Sequence, residues 1–140
     1  MIQTAETLAE IAIKFPQTVY AGFCFCLQSK WQYVQRVISD TAAFFVPLET
    51  AIETKLIPAL LEINSDDVSG DLRQVFAHGV KQGGLAIRNP VDTASYVHEA
   101  SKQTTSHLTL SLVDPNTPFL LGTHKKAATD APLAAAEIGF

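Results

Sequence analysis

Two adjacent aspartates, Asp66 and Asp67, are the first residues in this sequence whose type and spacing could do chemistry. Paired carboxylates can hold a catalytic divalent metal when a rigid strand turn and a third carboxylate complete the site. The flanking residues Asn64, Ser65 and Val68 show no alternation of apolar and polar side chains, so no strand is predicted here. The pair is therefore interpreted as part of a solvated capping loop, and no metal site is predicted.

The histidines give no stronger indication of a metal or a catalytic group. His98-Glu99 begins like a zinc-protease helix, but Lys102 stands where the second histidine would have to share the helix face. His98 and His107 are nine residues apart, which places them on opposite sides of one helix. The sequence also lacks a nucleophile elbow and a phosphate loop. We therefore predict no catalytic residues, no metal and no cofactor.

A cluster of aromatic and basic residues offers a different kind of chemistry, namely the binding of nucleic acid. Trp31 lies next to Lys30 and close to Arg36, a grouping that could stack a base and hold a phosphate. Two further cations flank a glycine pair that would let a phosphate approach the backbone. The predicted nucleic-acid-binding residues are Lys30, Trp31, Arg36, Lys81 and Arg88. The alternative is that Trp31 packs in the core beneath surface cations, since it also belongs to an apolar stripe.

Composition limits these possibilities. A chain of 140 residues with 47% hydrophobic content can build one domain around a single core. The 10 basic and 14 acidic residues give a formal charge of -4, so any contact with nucleic acid must come from a local patch.

Cys24 and Cys26 point away from each other on a helix and are predicted to be buried free thiols. No secretion signal or apolar run of roughly 20 residues is present, which predicts no membrane contact and an intracellular, cytoplasmic or nuclear location.

Apolar periodicity predicts a mainly α fold, a single-domain bundle of about four to five helices. Residues 2–14 form the first predicted helix, and residues 17–38 form the second, with apolar side chains every three or four positions. A third stripe at Phe44, Leu48, Ile52, Leu56 and Leu60 is interrupted twice: Pro47 is expected to open a helix, and Pro58 to kink or restart it. A short helix after a loop capped by Ser65 or Asp66, and a long one over residues 90–112, complete the bundle.

The glycine pair marks a predicted structural hinge between the last two of these helices. Gly83 and Gly84 can adopt positive φ angles, and residues 85–87 are long enough only for a short extended segment. Asn89 is expected to cap the following helix, with Pro90 at its first position. The helical domain is predicted to cover residues 1–112. Residues 113–140 lack reliable periodicity and are interpreted as an irregular, loosely ordered tail.

The order of several motifs resembles the region just after the palm in reverse transcriptases of non-LTR-type retroelements. The resemblance covers residues 5–112 and is carried by the segments LAEIAIKFPQTVYAGF, KWQYVQRVI, PLETAIETKLIPAL and GGLAIRNPVDTASYVHEAS. It implies a thumb-like helical module, a fragment without the fingers and the catalytic palm. Two positions depart from the family pattern: Ala86 replaces a usual glycine, and His78-Gly79 replaces a usual Leu-Pro.

Two functions follow as hypotheses. The resemblance implies a non-catalytic module whose ancestral role is to hold an RNA template and its product, so RNA or an RNA–DNA hybrid is the expected partner. The alternative is a small helical protein-interaction module that forms a homodimer through an apolar helix face. The acidic net charge and the strong apolar stripe of the second helix favour this alternative.

Overall fold

The predicted mainly α fold is confirmed by the computed structural model, which describes residues 1–137, with side chains described for residues 1–130. This part of the chain contains six helices and no strand. Their bounds are α1 (Ile2–Ala12), α2 (Pro16–Gly22, continued by Phe23–Leu27 and Gln28–Val37), α3 (Ala42–Ala51, continued by Ile52–Leu56 and Ile57–Leu61), α4 (Gly70–Ala77), α5 (Pro90–Val113) and α6 (Leu121–Glu137).

The apolar core lies between α1, α2 and α3. Small residues of α1, Ala5, Ala9 and Ala12, are buried and let that helix lie close to its neighbours. Phe23 and Trp31 of α2 meet edge to face, with their ring centroids 5.5 Å apart. Each large side chain buried in this way contributes about 1.5–3 kcal/mol to folding. Larger members of the core are Phe23, Leu27, Trp31, Phe45, Leu48, Ile52, Leu56, Ile57 and Ile87.

Both long core helices contain one π-helical turn, Phe23–Leu27 in α2 and Ile52–Leu56 in α3. Through these turns the buried residues are spaced by four, at Val19, Phe23, Leu27 and Trp31 in α2 and at Leu48, Ile52 and Leu56 in α3. A regular α-helix has 3.6 residues per turn, so each step of four would move the side chain by about 40° around the axis. The π turn takes in one extra residue and so keeps these side chains on the buried face.

Three local predictions about α3 and α4 were wrong. Phe44 is 81% exposed, and its neighbour Phe45 is buried in its place. Pro47 lies inside the helical run Ala42–Ala51 and does not open it. The helix α4 is capped by Ser69, whose hydroxyl accepts from the backbone N–H of Leu72, and not by Ser65 or Asp66.

The two cysteines differ in their surroundings. Both are free thiols, but Cys24 is half-buried and Cys26 is exposed, so the prediction of two buried thiols was wrong for Cys26. Burial raises the pKa of the Cys24 thiol, and a hydrogen bond with Tyr20 opposes that rise. Cys24 is therefore protonated at neutral pH.

The C-terminal part contains one helix that the sequence did not predict. Within the predicted irregular tail, residues 113–140, the structure contains the helix α6, which packs along α5. The facing residues are small, with Ala127 and Ala128 half-buried, so α6 shows none of the large apolar periodicity that reveals a core helix. Residues 138–140 of the predicted tail lie outside the described residues. None of the described helices is long and apolar enough to cross a lipid bilayer.

Candidate nucleic-acid interface

The segment between α4 and α5 begins with the glycine pair, and the two glycines have different roles. Gly83 adopts a φ of +84°, as predicted, and ends the short 3₁₀ turn Val80–Gln82. Gly84 does not have a positive φ. A Cβ atom there would lie 2.1 Å from the carbonyl oxygen of His78 and 2.5 Å from that of Val75. Gly84 is therefore required by the close approach of two backbone segments.

Residues 85–87 fold back onto the end of α4 and do not form the predicted extended segment. The backbone N–H groups of Leu85 and Ile87 both donate to the carbonyl oxygen of Phe76, at 3.3 and 3.0 Å. Ala86 donates to His78 at 2.8 Å and adopts a left-handed φ of +54°. The physical reason for the departure is this left-handed residue, which breaks an extended run. We call residues 83–89 the anchored turn.

Helix α2 holds the anchored turn through two polar side chains and the start of α5 through a third. The Tyr20 hydroxyl donates to the carbonyl oxygen of Leu85 at 2.6 Å. The Gln28 side-chain oxygen accepts from the Arg88 backbone N–H at 2.7 Å, and Gln35 donates to the carbonyl oxygen of Pro90 at 2.6 Å. Gln28 and Gln35 are buried, and the backbone of Arg88 in the turn and of Pro90 in α5 gives each side-chain amide a hydrogen-bond partner.

An ion pair buried below the turn holds it from the other side. Arg73 of α4 donates to both carboxylate oxygens of Glu49 in α3, at 2.6 and 2.8 Å. The same guanidinium donates to the carbonyl oxygen of Ile87 at 2.7 Å. Burial raises the pKa of the Glu49 carboxyl, and the hydrogen bonds from Arg73 oppose that rise. One arginine thus joins α3, α4 and the anchored turn.

The start of α5 agrees with the sequence prediction. The side-chain oxygen of Asn89 accepts from the backbone N–H groups of Val91 and Asp92, at 2.8 and 3.3 Å, and Pro90 begins the helix. Together with the side chains of α2 and Arg73, this cap fixes the segment that was predicted as a hinge. Its backbone orientation, and with it the direction in which Arg88 leaves the turn, is set by hydrogen bonds at both ends.

A cleft of about 700 Å³ opens between the anchored turn, the C-terminal end of α2, α5 and α6, and we call it the arginine cleft. Arg36 and Arg88 are the charged residues that line it, and no carboxylate is among its lining residues. Burial raises the pKa of the Tyr96 phenol, and the positive charge of Arg88 opposes that rise, so the phenol is a hydrogen-bond donor at neutral pH. Its charged and polar lining residues include Arg36, Gln82, Arg88, Tyr96, Thr104 and Thr105.

No protein-family model, curated protein or solved structure matches this chain. Its function must therefore be inferred from the geometry and from the motifs that resemble reverse transcriptases. No group of three or more histidine, cysteine or acidic side chains is placed to hold a metal ion among residues 1–130, whose side chains the structure describes.

The structure brings together some of the predicted nucleic-acid-binding residues and separates others. Arg36 and Arg88 both line the arginine cleft, and Lys81 is exposed next to the lining residue Gln82. Lys30 is exposed but lies six residues before Arg36, about 120° away around α2. Trp31 is fully buried against Phe23, so it cannot stack on a base, and its prediction as a binding residue was wrong.

Several functional candidates carry no motif that would mark them in the sequence. Gln82, Tyr96 and the hydroxyl-bearing residues of α5 belong to the cleft, and none of them was predicted as a binding residue. The available signal was the weak apolar stripe of α5, where Ser101 and Thr104 stand at inward positions. The apolar stripe of α5 is weak because these positions face the cleft and α6 and do not face the core.

Proposed function

We propose that this chain is a non-catalytic helical module that holds the phosphate backbone of RNA or of an RNA–DNA hybrid, as the thumb of a retroelement reverse transcriptase would. The observation that carries the proposal is that Arg36 and Arg88 line one cleft whose lining includes no carboxylate. Guanidinium groups pair with phosphate oxygens in a planar, two-bond geometry.

The anchored turn supports this proposal because it positions Arg88 before any ligand arrives. The Arg88 backbone N–H is held by Gln28, and the neighbouring carbonyl of Ile87 is held by Arg73. The backbone at Arg88 therefore does not have to be ordered when the side chain binds, and only the side chain loses freedom. With a net charge of -4 the chain has no global attraction for nucleic acid, so this local arrangement must supply the contact.

The test is the binding of a labelled RNA–DNA hybrid, measured by fluorescence anisotropy over a salt series. We expect binding at low salt that weakens as salt rises, because pairing with phosphates releases bound counterions. The double variant Arg36→Gln with Arg88→Gln should lower the slope of log affinity against log salt by about 2, because two phosphates would no longer be neutralised by an arginine.

The matched control is Lys14→Gln, since Lys14 is exposed and lies outside the cleft. It should leave the salt slope close to that of the wild type. Absence of hybrid binding even at the lowest salt would remove the proposal, and so would an equal decrease of the slope in the control.

A second candidate function, a homodimeric interaction module, is favoured by exposed apolar side chains. A separate apolar cleft of about 400 Å³ lies between α1, α2 and α3, with the 81% exposed Phe44 at its edge. Solvent-exposed aromatic residues beside an apolar cleft are typical of contact surfaces.

Sedimentation velocity over a concentration series tests this second candidate. A homodimer should dissociate when Phe44 is replaced in Phe44→Glu, because a carboxylate at the interface would be desolvated. Val113→Glu, a change at an equally exposed apolar position outside this cleft, should leave the dimer intact. A wild-type monomer at the highest concentration rules the dimer out.

A further inference from the structure

We infer that the arginine cleft accepts one nucleotide unit carrying a terminal phosphate. This inference rests on the proposed function, since it assigns a ligand to the same site. Its first support is size, because about 700 Å³ lies within the usual range of roughly 300–1,000 Å³ for small-molecule sites. Helix α6 borders the cleft through Ala128.

The phosphate end of the cleft is set by the two arginines. Gln35, the neighbour of Arg36, donates to the carbonyl oxygen of Pro90, and Arg88 lies two residues before Pro90. Both guanidinium groups therefore leave the backbone close to the N-terminal end of α5. That end of the helix adds a partial positive charge, which favours a phosphate further.

The opposite end of the cleft offers hydrogen-bond acceptors. The hydroxyls of Thr104 and Thr105 donate to the carbonyl oxygens of Ala100 and Ser101, at 2.7 and 2.9 Å. Their remaining lone pairs can only accept hydrogen bonds, which suits the sugar hydroxyls or the exocyclic amine of a nucleotide. Tyr96 and Thr105 are nine residues apart, which separates these two lining residues by about 13 Å along the axis of α5.

One acidic residue opposes an anion at this site. Asp92 lies in the first turn of α5 and raises the pKa of Tyr96 through its negative charge, although it does not line the cleft. It is exposed, so solvent screens it more than it screens the lining residues. Removing its charge should strengthen the binding of a phosphate. This effect is opposite to the weaker binding expected when either arginine is replaced.

The experiment is isothermal titration calorimetry of the full chain with adenosine 5′-monophosphate, adenosine and inorganic phosphate as separate probes. We expect the monophosphate to bind more tightly than either of the others, because only it reaches both ends of the cleft. Arg36→Gln and Arg88→Gln should each weaken it by about tenfold or more, since each removes a charged hydrogen-bond donor. Asp92→Asn should tighten it, and Lys14→Gln, at an exposed residue outside the cleft, should leave it unchanged.

The outcomes separate this inference from the proposed function. Equal affinity for inorganic phosphate and the monophosphate, or no effect of both arginine variants, overturns the nucleotide cleft. If the hybrid binds in an arginine-dependent manner while the monophosphate does not, only this inference fails. If the monophosphate binds as described while the hybrid does not, the backbone-holding function fails and the cleft remains a site for a free nucleotide. Circular dichroism of each variant confirms that the fold is retained.

Discussion

Replacement of Glu49 by alanine is expected to lower the free energy of unfolding by about 3–5 kcal/mol, because it leaves the buried guanidinium of Arg73 without a counterion. Arg73 and Glu49 are joined by two hydrogen bonds of 2.6 and 2.8 Å, and their side chains are 5% and 12% exposed. A domain of this kind has only about 5–15 kcal/mol of stability in total. Denaturant unfolding followed by circular dichroism measures the change.

The cause of this loss can be checked with a double variant. Glu49→Leu combined with Arg73→Met replaces both charges by apolar groups, so no unpaired charge remains in the core. The carbonyl oxygen of Ile87 then lacks its donor, which costs about 1–3 kcal/mol. We expect the double variant to be more stable than Glu49→Ala. The exposed Glu10 supplies the control, since Glu10→Ala should change stability by no more than about 0.5 kcal/mol.

The opposite result would contradict the assignment. The double variant could instead be less stable than Glu49→Ala, as if the loss of Arg73 simply added to the loss of Glu49. The unpaired charge of Arg73 would then not be the cause of the instability of Glu49→Ala. Arg73 would then stabilise the protein mainly through its bonds to the anchored turn.

Replacement of Gly84 by alanine should be the second most damaging change, lowering the free energy of unfolding by about 3 kcal/mol. The added Cβ would lie 2.1 Å from the carbonyl oxygen of His78, and this neighbour is backbone, which cannot turn away as a side chain can. The anchored turn would have to separate from the end of α4. For a domain of this size the loss corresponds to a decrease in melting temperature of roughly 10 °C.

Two matched substitutions isolate this steric cause from the general effect of a glycine. Gly22→Ala adds a Cβ with nothing within 4 Å on a helical backbone, so it should raise stability by about 0.5–1 kcal/mol. Ala86→Gly should also stabilise, by up to about 1 kcal/mol, because it relieves the left-handed φ of +54°. Thermal unfolding of the three variants side by side tests the series. A melting temperature for Gly84→Ala equal to that of the wild type would mean that the turn lies further from α4.

The arginine cleft could be predicted only in part. Arg36 and Arg88 were predicted to bind phosphates because cations stand near an aromatic residue and a glycine pair. The prediction that Trp31 binds nucleic acid came from the same grouping of residues and was wrong. Trp31 belongs to an apolar stripe that faces the core, so its side chain is buried. Tyr96 was missed because its role depends on the distance to Arg88, which lies on a different segment.

The network that holds the anchored turn was not predictable from local pattern. Glu49 and Arg73 are separated by 24 residues, and Tyr20 reaches a carbonyl 65 residues away. Nothing in the spacing of these residues indicates that they meet. Their pairing results from the way α2, α3 and α4 pack around one loop.

The amino-acid sequence by itself determined the helical class, the stripes of the core helices and the cap at Asn89 and Pro90, because these depend on neighbours within a turn or two of the same helix. Only the tertiary structure decided that Trp31 is buried, that residues 121–137 form a helix along α5, and that Arg36 and Arg88 share a cleft. These features depend on which surfaces meet when distant segments pack, and periodicity along one segment carries no information about its partner.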